Sequence, residues 1–345
     1  MKYPAKLIIF FSILSALAIV GFSSVSSKVA LQILEDVYVL PVAELATTKT
    51  HPEIIKIENE FIEITLIPNR GRIVASYALK KGGEKIPLLY SELNPSPMVL
   101  PGGLHTVEFG GYYLSLPWNE RDRQPFDLSF EVKQNTENLA EIYLSGRDLF
   151  KKTLTECWIR IRNNSPLVET AIKITNSSKR KEITVDFKDF TIVNSMSECR
   201  WLLPVEKVEV LESEDNWLGE PETLLTSLNE INEWNKAKKY FRISTQDPLS
   251  LPVAAFLYPT KDIAFIKLWE PIDFFTKAEI WSWGKSYAEQ SGAGPYVVLS
   301  NISEGLNLKP QEEISFKVYL IALDQIPQKE QLEALFEKAK SYLVK

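Results

Sequence analysis

Along much of this chain apolar and polar residues alternate with a period of two, the pattern of a strand whose faces meet different surroundings. Phe61–Ile67 is the first clear run, ended by Pro68, Asn69 and Gly71. Ile73–Leu79 follows and stops at Lys81, Gly82 and Gly83. Trp158–Arg162 and Val168–Thr175 alternate on either side of Asn163, Asn164, Ser165 and Pro166, a cluster of turn formers that predicts a hairpin. Further strands are expected at Ile183–Phe187, Tyr240–Ser244, Val253–Tyr258, Ile263–Trp269, Tyr296–Leu299 and Ile314–Ile321. Strands this numerous, separated by Gly, Pro and Asn turns, predict an all-β chain: one large antiparallel β-sandwich, or supersandwich. A parallel sheet needs regular crossover helices, and the pattern offers none between these strands.

One helical pattern closes the chain. After Pro327, residues Leu332, Leu335, Phe336, Ala339, Tyr342 and Leu343 recur at helical spacing with charges between them, which predicts a C-terminal α-helix over 326–345 packed on the sandwich. A weaker helical pattern runs through Glu222–Lys239.

The composition agrees with a packed fold, being 45% hydrophobic and 11% aromatic. The formal net charge of −6, without a long basic run, argues against nucleic acid as a partner, since phosphate backbones demand a concentrated cationic surface. The first 27 residues have the layout of a secretory signal peptide: Lys2 and Lys6, an uncharged apolar stretch from Leu7 to Phe22, then small residues from Ser23 to Ser27. That stretch falls short of the ~20 residues a spanning helix needs. Cleavage is therefore expected near Lys28, giving a secreted or otherwise extracytoplasmic protein with no stable membrane insertion, although retention as an anchor is the alternative. The expected organisation is a signal peptide (1–27), a lead-in (28–50), the sandwich (51–325) and the terminal helix (326–345).

Two cysteines, Cys157 and Cys199, stand beside strand-like segments; an exported chain permits a disulfide between them, and two separate buried thiols are the other reading. Two His and two Cys, scattered, lack the spacing of a metal site, and no metal or cofactor is expected. Asn-x-Ser triplets begin at Asn163, Asn176 and Asn301, where turn chemistry is favoured over glycan attachment.

Candidate chemistry gathers in three stretches. The first runs from Asn59 through Pro68, Asn69, Arg70, Gly71 and Arg72 to Ile73. The second runs from Pro101, Gly102 and Gly103 through His105, Gly110, Gly111, Tyr112 and Tyr113 to Trp118, Asn119 and Glu120. The third is Lys277–Gly284, containing Trp281 and Trp283, with Lys285 after it and the strand from Tyr296 beyond. Sugars offer C–H faces that stack on aromatic rings, and hydroxyls that need paired donors and acceptors. Tyr112, Tyr113 and Trp118 beside Asn119 and Glu120, and Trp281 and Trp283 beside Lys285, supply both; Arg72 adds a planar fork of donors. Core packing is the alternative for each aromatic.

In order and separation, these stretches resemble an exported branch of the galactose-mutarotase-like (aldose 1-epimerase-like) superfamily, over roughly residues 50–325. The resemblance implies a supersandwich and a carbohydrate partner. It also implies one cleft shared by Gly102–Glu120 and Trp281–Lys285, with Arg72, Tyr112, Trp118, Asn119, Trp281, Trp283 and Lys285 as ligand contacts. The mutarotases of that superfamily use a His acid and a Glu base, because ring opening needs one group to protonate the ring oxygen and another to deprotonate the anomeric hydroxyl. Here the late strand that would carry the Glu reads Val297, Val298, Leu299 and Ser300, and His51 precedes the first strand of the resemblance. The leading expectation is thus carbohydrate binding without ordinary mutarotase activity. A second is a divergent epimerase, lyase or hydrolase assembled from His105 with Glu108 or Glu120. A third is a structural or assembly module. The oligomeric state is not legible.

Overall fold

The computed structural model describes residues 29–35, 53–91, 97–99, 105–107, 110–115, 128–148, 152–194, 199–203, 205, 207–217, 219–225, 239–246, 252–270, 275–282, 296–327 and 334. In chain order their strands are β1 (Ala30–Glu35), β2 (Glu53–Glu58), β3 (Ile62–Ile67), β4 (Arg72–Lys81), β5 (Glu84–Pro87), β6 (Pro97–Val99), β7 (His105–Val107), β8 (Gly111–Ser115), β9 (Ser129–Asn135), β10 (Leu139–Asp148), β11 (Thr153–Arg162), β12 (Leu167–Asn176), β13 (Ile183–Asn194), β14 (Arg200–Leu202), β15 (Val208–Ser213), β16 (Leu224–Leu225), β17 (Phe241–Ser244), β18 (Val253–Tyr258), β19 (Ile263–Trp269), β20 (Lys277–Ser282), β21 (Tyr296–Leu308) and β22 (Glu313–Leu323).

These strands form a twelve-stranded sheet in the order β1-β2-β3-β4-β8-β13-β21-β20-β17-β15-β16, with β5 on β4. An eight-stranded sheet runs β14-β18-β19-β22-β12-β11-β10-β9, and β6 and β7 make a separate ribbon. The strand pairs are antiparallel, as in the hairpins β3–β4, β11–β12 and β18–β19 that the alternation predicts. The sandwich expected from the sequence is therefore what the chain forms.

Alternation decides the core. On β11, Thr155, Cys157, Ile159 and Ile161 are buried while Glu156, Trp158 and Arg160 are partly exposed. Cys157, Ile159 and Ile161 join Val185, Phe187 and Val193 of β13 and Val297 and Leu299 of β21 in one apolar cluster between the sheets. Polar side chains tie the sheets together at the turns. Asn59 Nδ2 donates to the carbonyls of Arg162 (2.7 Å) and Ser165 (2.8 Å). Asn176 Nδ2 lies 2.8 Å from Lys181 O and 2.9 Å from the carbonyls of Leu308 and Lys309, so it pins the two places where the chain crosses between sheets. Tyr77 Oη donates to Pro166 O and accepts from the Ala322 amide. Of the Asn-x-Ser triplets, Asn163 lies at the expected turn, where its Nδ2 donates to Asn138 Oδ1 at 2.9 Å, and Asn176 and Asn301 are interior, Asn301 within β21 instead of at a turn.

Cys157 and Cys199 are both buried free thiols. β1 falls inside the expected lead-in and pairs with β2, so the lead-in contributes a strand to the large sheet. Where a weak helix was expected from Glu222, Leu224 and Leu225 form β16; 226–238 lie outside the described residues. The signal segment also lies outside them, as does the terminal helix except for 326, 327 and Ala334, the last of which is helical. Among the described residues no helix is long and apolar enough to cross a membrane.

Candidate functional site

The strand register places one line of side chains across the outer face of the large sheet, the face turned away from the sandwich interior. Arg72 pairs with Tyr113, Tyr113 with Phe190, Phe190 with Ser300, Ser300 with Glu279, and Glu279 with Ser244. Paired residues on neighbouring strands share a face, so these six lie side by side. Lys188 and Ser115 form a parallel step on one side of the line; Ile192, Val298, Trp281 and Arg242 form one on the other.

Half of this surface is aromatic. The Arg72 guanidinium lies 3.7 Å from the centre of the Tyr113 ring, within cation–π range. Tyr113 stacks on Phe190 at 4.9 Å with 16° between planes, and Phe190 meets Trp281 edge-on at 5.6 Å. Tyr90 and Tyr296 add a tilted pair at 4.8 Å. With Ile192 and Val298 these rings form an apolar cluster separate from the main core.

The other half is charged. Glu279 Oε2 accepts from Lys188 Nζ at 3.1 Å, and from Arg242 Nη2 and Nε at 3.0 and 3.3 Å. Lys188 and Glu279 are almost fully buried, whereas the Arg242 side chain is 25% exposed. Among the described residues every hydrogen bond to Glu279 falls on Oε2, which leaves Oε1 to accept another. Beside it, the buried hydroxyl of Ser300 has no hydrogen-bond partner among the described residues; the same holds for Ser115, three strands away on β8. This face thus brings an acceptor and a hydroxyl next to stacked rings, all of them buried, with Arg242 the member that reaches solvent. Among the described residues no group of three or more His, Cys, Asp and Glu is placed to hold a metal ion.

Local backbone explains how β8 reaches this position. Gly111 has φ of 83°, and a Cβ there would stand 2.4 Å from Val74 O, so only glycine lets β8 lie this close to β4.

Of the residues expected at a ligand, Arg72 and Trp281 lie on this face. Tyr112 does not: its neighbour Tyr113 faces outward, so Tyr112 faces inward and is fully buried in the main core. Burial, and then the negative charge of Asp189, raises its hydroxyl pKa. His105 stands on β7 in the two-stranded ribbon, opposite Val99; its side chain is not among those described. Glu108, Trp118, Asn119, Glu120, Trp283 and Lys285 lie outside the described residues. Tyr113 and Trp281, one from the second stretch and one from the third, both pack on the Phe190 ring; most of Gly102–Glu120 and Trp281–Lys285, expected to share a cleft, lies outside the described residues. Sequence reasoning passed over Lys188, Phe190, Arg242 and Glu279. Charged residues inside otherwise apolar strands, as in Val185–Val193 and Lys277–Ser282, are the signal that marks them.

Neither a protein-family model nor a curated protein matches the chain in sequence. Solved structures do match in shape. A TPR-domain containing protein from Parabacteroides distasonis superposes with a TM-score of 0.64 at 13% identity, over 88% of this chain but only 55% of that one. A candidate aldose 1-epimerase from Klebsiella pneumoniae gives 0.61 at 14% identity, over 91% and 88%. A galactose mutarotase-like protein from Clostridium acetobutylicum gives 0.51 at 12% identity, over 85% and 98%. At such identities the likeness is one of fold: the chain has the galactose-mutarotase-like β-sandwich.

Proposed function

We propose that this chain binds carbohydrate on the outer face of its large sheet, around Tyr113, Phe190, Trp281 and Glu279, without ordinary mutarotase activity. The observation that carries the reading is the division of that face into a ring-lined half and a half with spare hydrogen-bonding capacity. A pyranose has the same division, with C–H faces that stack and hydroxyls that pair. Glu279 Oε1 would accept from one hydroxyl, and Ser300, at the same register on β21, would exchange a hydrogen bond with another. Ring opening would need a positioned acid and a positioned base together. Ser300 stands in the late strand where the resemblance puts the base, which supports binding without turnover.

A glycan array, backed by calorimetry with galactose and glucose, tests the reading. Trp281→Ala should weaken binding of the best array glycan by roughly tenfold or more, on the scale of losing one aromatic stacking partner. A wild-type protein that binds nothing on the array, or a Trp281→Ala protein with undiminished affinity, would count against it. Polarimetry with galactose and glucose should show no more than background mutarotation.

A further inference from the structure

We propose that the Asp189–Lys267 pair, sealed between the two sheets, is the positioning element of the site on the other side of β13; the inference rests on the carbohydrate reading above. Lys267 Nζ on β19 donates to Asp189 Oδ1 on β13 at 2.7 Å, and both side chains are completely buried. The same oxygen accepts the backbone N–H of Asn301 on β21 at 3.1 Å. One carboxylate oxygen therefore ties together two strands of the large sheet and one of the small.

Asp189 itself, and Asn301, whose amide donates to it, are each next in sequence to residues on the outer face. Asp189 lies between Lys188 and Phe190, and Asn301 follows Ser300. The ammonium also sits 5.5 Å from the ring of Tyr112, whose neighbour is Tyr113. The pair thus lies directly beneath Lys188, Phe190, Ser300 and Tyr113. Other polar ties between the sheets, such as those from Asn59, Tyr77, Asn176 and Tyr258, reach turn carbonyls or strand ends, away from this point.

Stability alone gives little reason for such a pair. Taking two charges out of water is costly, and apolar side chains of similar volume generally serve a core as well or better. Burial drags the Lys267 pKa down, against the opposing pull of Asp189. What a fixed charge pair adds is a single arrangement of the strands that carry it, and a binding face built from three of those strands needs one.

The test uses the full chain in two double variants, Asp189→Leu/Lys267→Met and Asp189→Asn/Lys267→Met. The second retains an acceptor for the Asn301 amide and removes only the link between sheets. Affinity for the best array glycan and amide hydrogen exchange over 187–190 and 299–302 are read for both. The Leu/Met variant should stay folded with a Tm near or above wild type, yet bind roughly tenfold more weakly and exchange those amides about tenfold faster. The Asn/Met variant should fall between it and wild type, and it carries the comparison if the Leu/Met protein does not fold. Wild-type affinity and exchange in a folded double variant overturn the proposal. A wild type that binds nothing on the array, with amides loosened in the variants, defeats the carbohydrate reading while leaving the hold of the pair on β13 and β21 in place.

Discussion

Lys188 and Asp189 are consecutive on β13, and each enters a buried ion pair on an opposite face of one sheet. Toward the interior, Asp189 meets Lys267 with no solvent contact on either side. Toward the outside, Lys188 meets Glu279, and Glu279 also meets Arg242, which keeps a quarter of its side chain in solvent. The inner pair is sealed from solvent, and it too leaves a carboxylate oxygen over: among the described residues Asp189 Oδ2 has no hydrogen-bond partner. The outer network differs in having a member that reaches solvent, Arg242, and in standing next to the Ser300 hydroxyl, which has no hydrogen-bond partner among the described residues. The contrast separates two uses of buried charge. On the proposed reading one fixes the strands, and the other holds hydrogen-bonding groups where a ligand would meet them.

The comparison breaks first at Lys267. Replacing Lys267 alone by Met strands the Asp189 charge in the core, and such a change costs about 3–5 kcal/mol. Chemical denaturation of the single variant against the Leu/Met double variant measures this. A single variant no less stable than the double would show that the inner charges are not coupled.

The outer network should give way more gently. Glu279→Gln keeps an acceptor of the same shape for Lys188 and Arg242 and removes only the charge. Lys188 is left buried with a weaker partner, while Arg242 still reaches water, so a loss of about 1–3 kcal/mol is expected. Glycan affinity should fall at the same time. A loss as large as that of Lys267→Met, with affinity unchanged, would make the outer network a second structural clamp and erase the contrast.

The fold was legible because period-2 alternation is a direct imprint of a two-faced sheet. It carried Phe61–Ile67, Trp158–Arg162 and Val168–Thr175 into their observed hairpins. The site was legible only at its edges, for the same physical reason. The alternation of β13 reads cleanly to Phe187 and then meets two charges in succession, which ordinarily end a buried strand. Here the strand continues to Asn194, because each charge finds an opposite one on its own side of the sheet. No local pattern announces a partner 78 or 91 residues away. Glu279 is hidden likewise: the late strand carries Ser300, while a carboxylate stands at the same register on the adjacent β20. Between Tyr112 and Tyr113, alternation shows that they face opposite ways, and only the sandwich decides which faces the core.

A third class of ion pair, at the rim, sets the lower end of the scale. Partial burial alone would raise the pKa of Glu63, but hydrogen bonds from Lys85 and Lys56, with their charges, overcome that and hold its carboxyl below the ordinary value of 4.5. Glu156 is placed similarly: burial opposes, while Lys173 and the Tyr143 hydroxyl prevail. These side chains reach solvent, and pairs of this kind add only about 0.2–1 kcal/mol each. The sign follows from linkage. A carboxyl whose folded pKa lies below its unfolded pKa binds fewer protons in the folded state, so its contribution is complete above the unfolded value and is lost as pH falls through the folded one. Stability should therefore decline as pH drops below about 4.5, and the Glu63→Gln/Glu156→Gln variant should show a shallower decline while matching the wild-type slope near neutrality. Urea midpoints between pH 3 and 7, values chosen to span roughly the carboxylate range, make the measurement. An acid limb unchanged by the two substitutions would assign the acid sensitivity to other carboxylates. A limb abolished by them would put the rim pairs on the same footing as the buried ones.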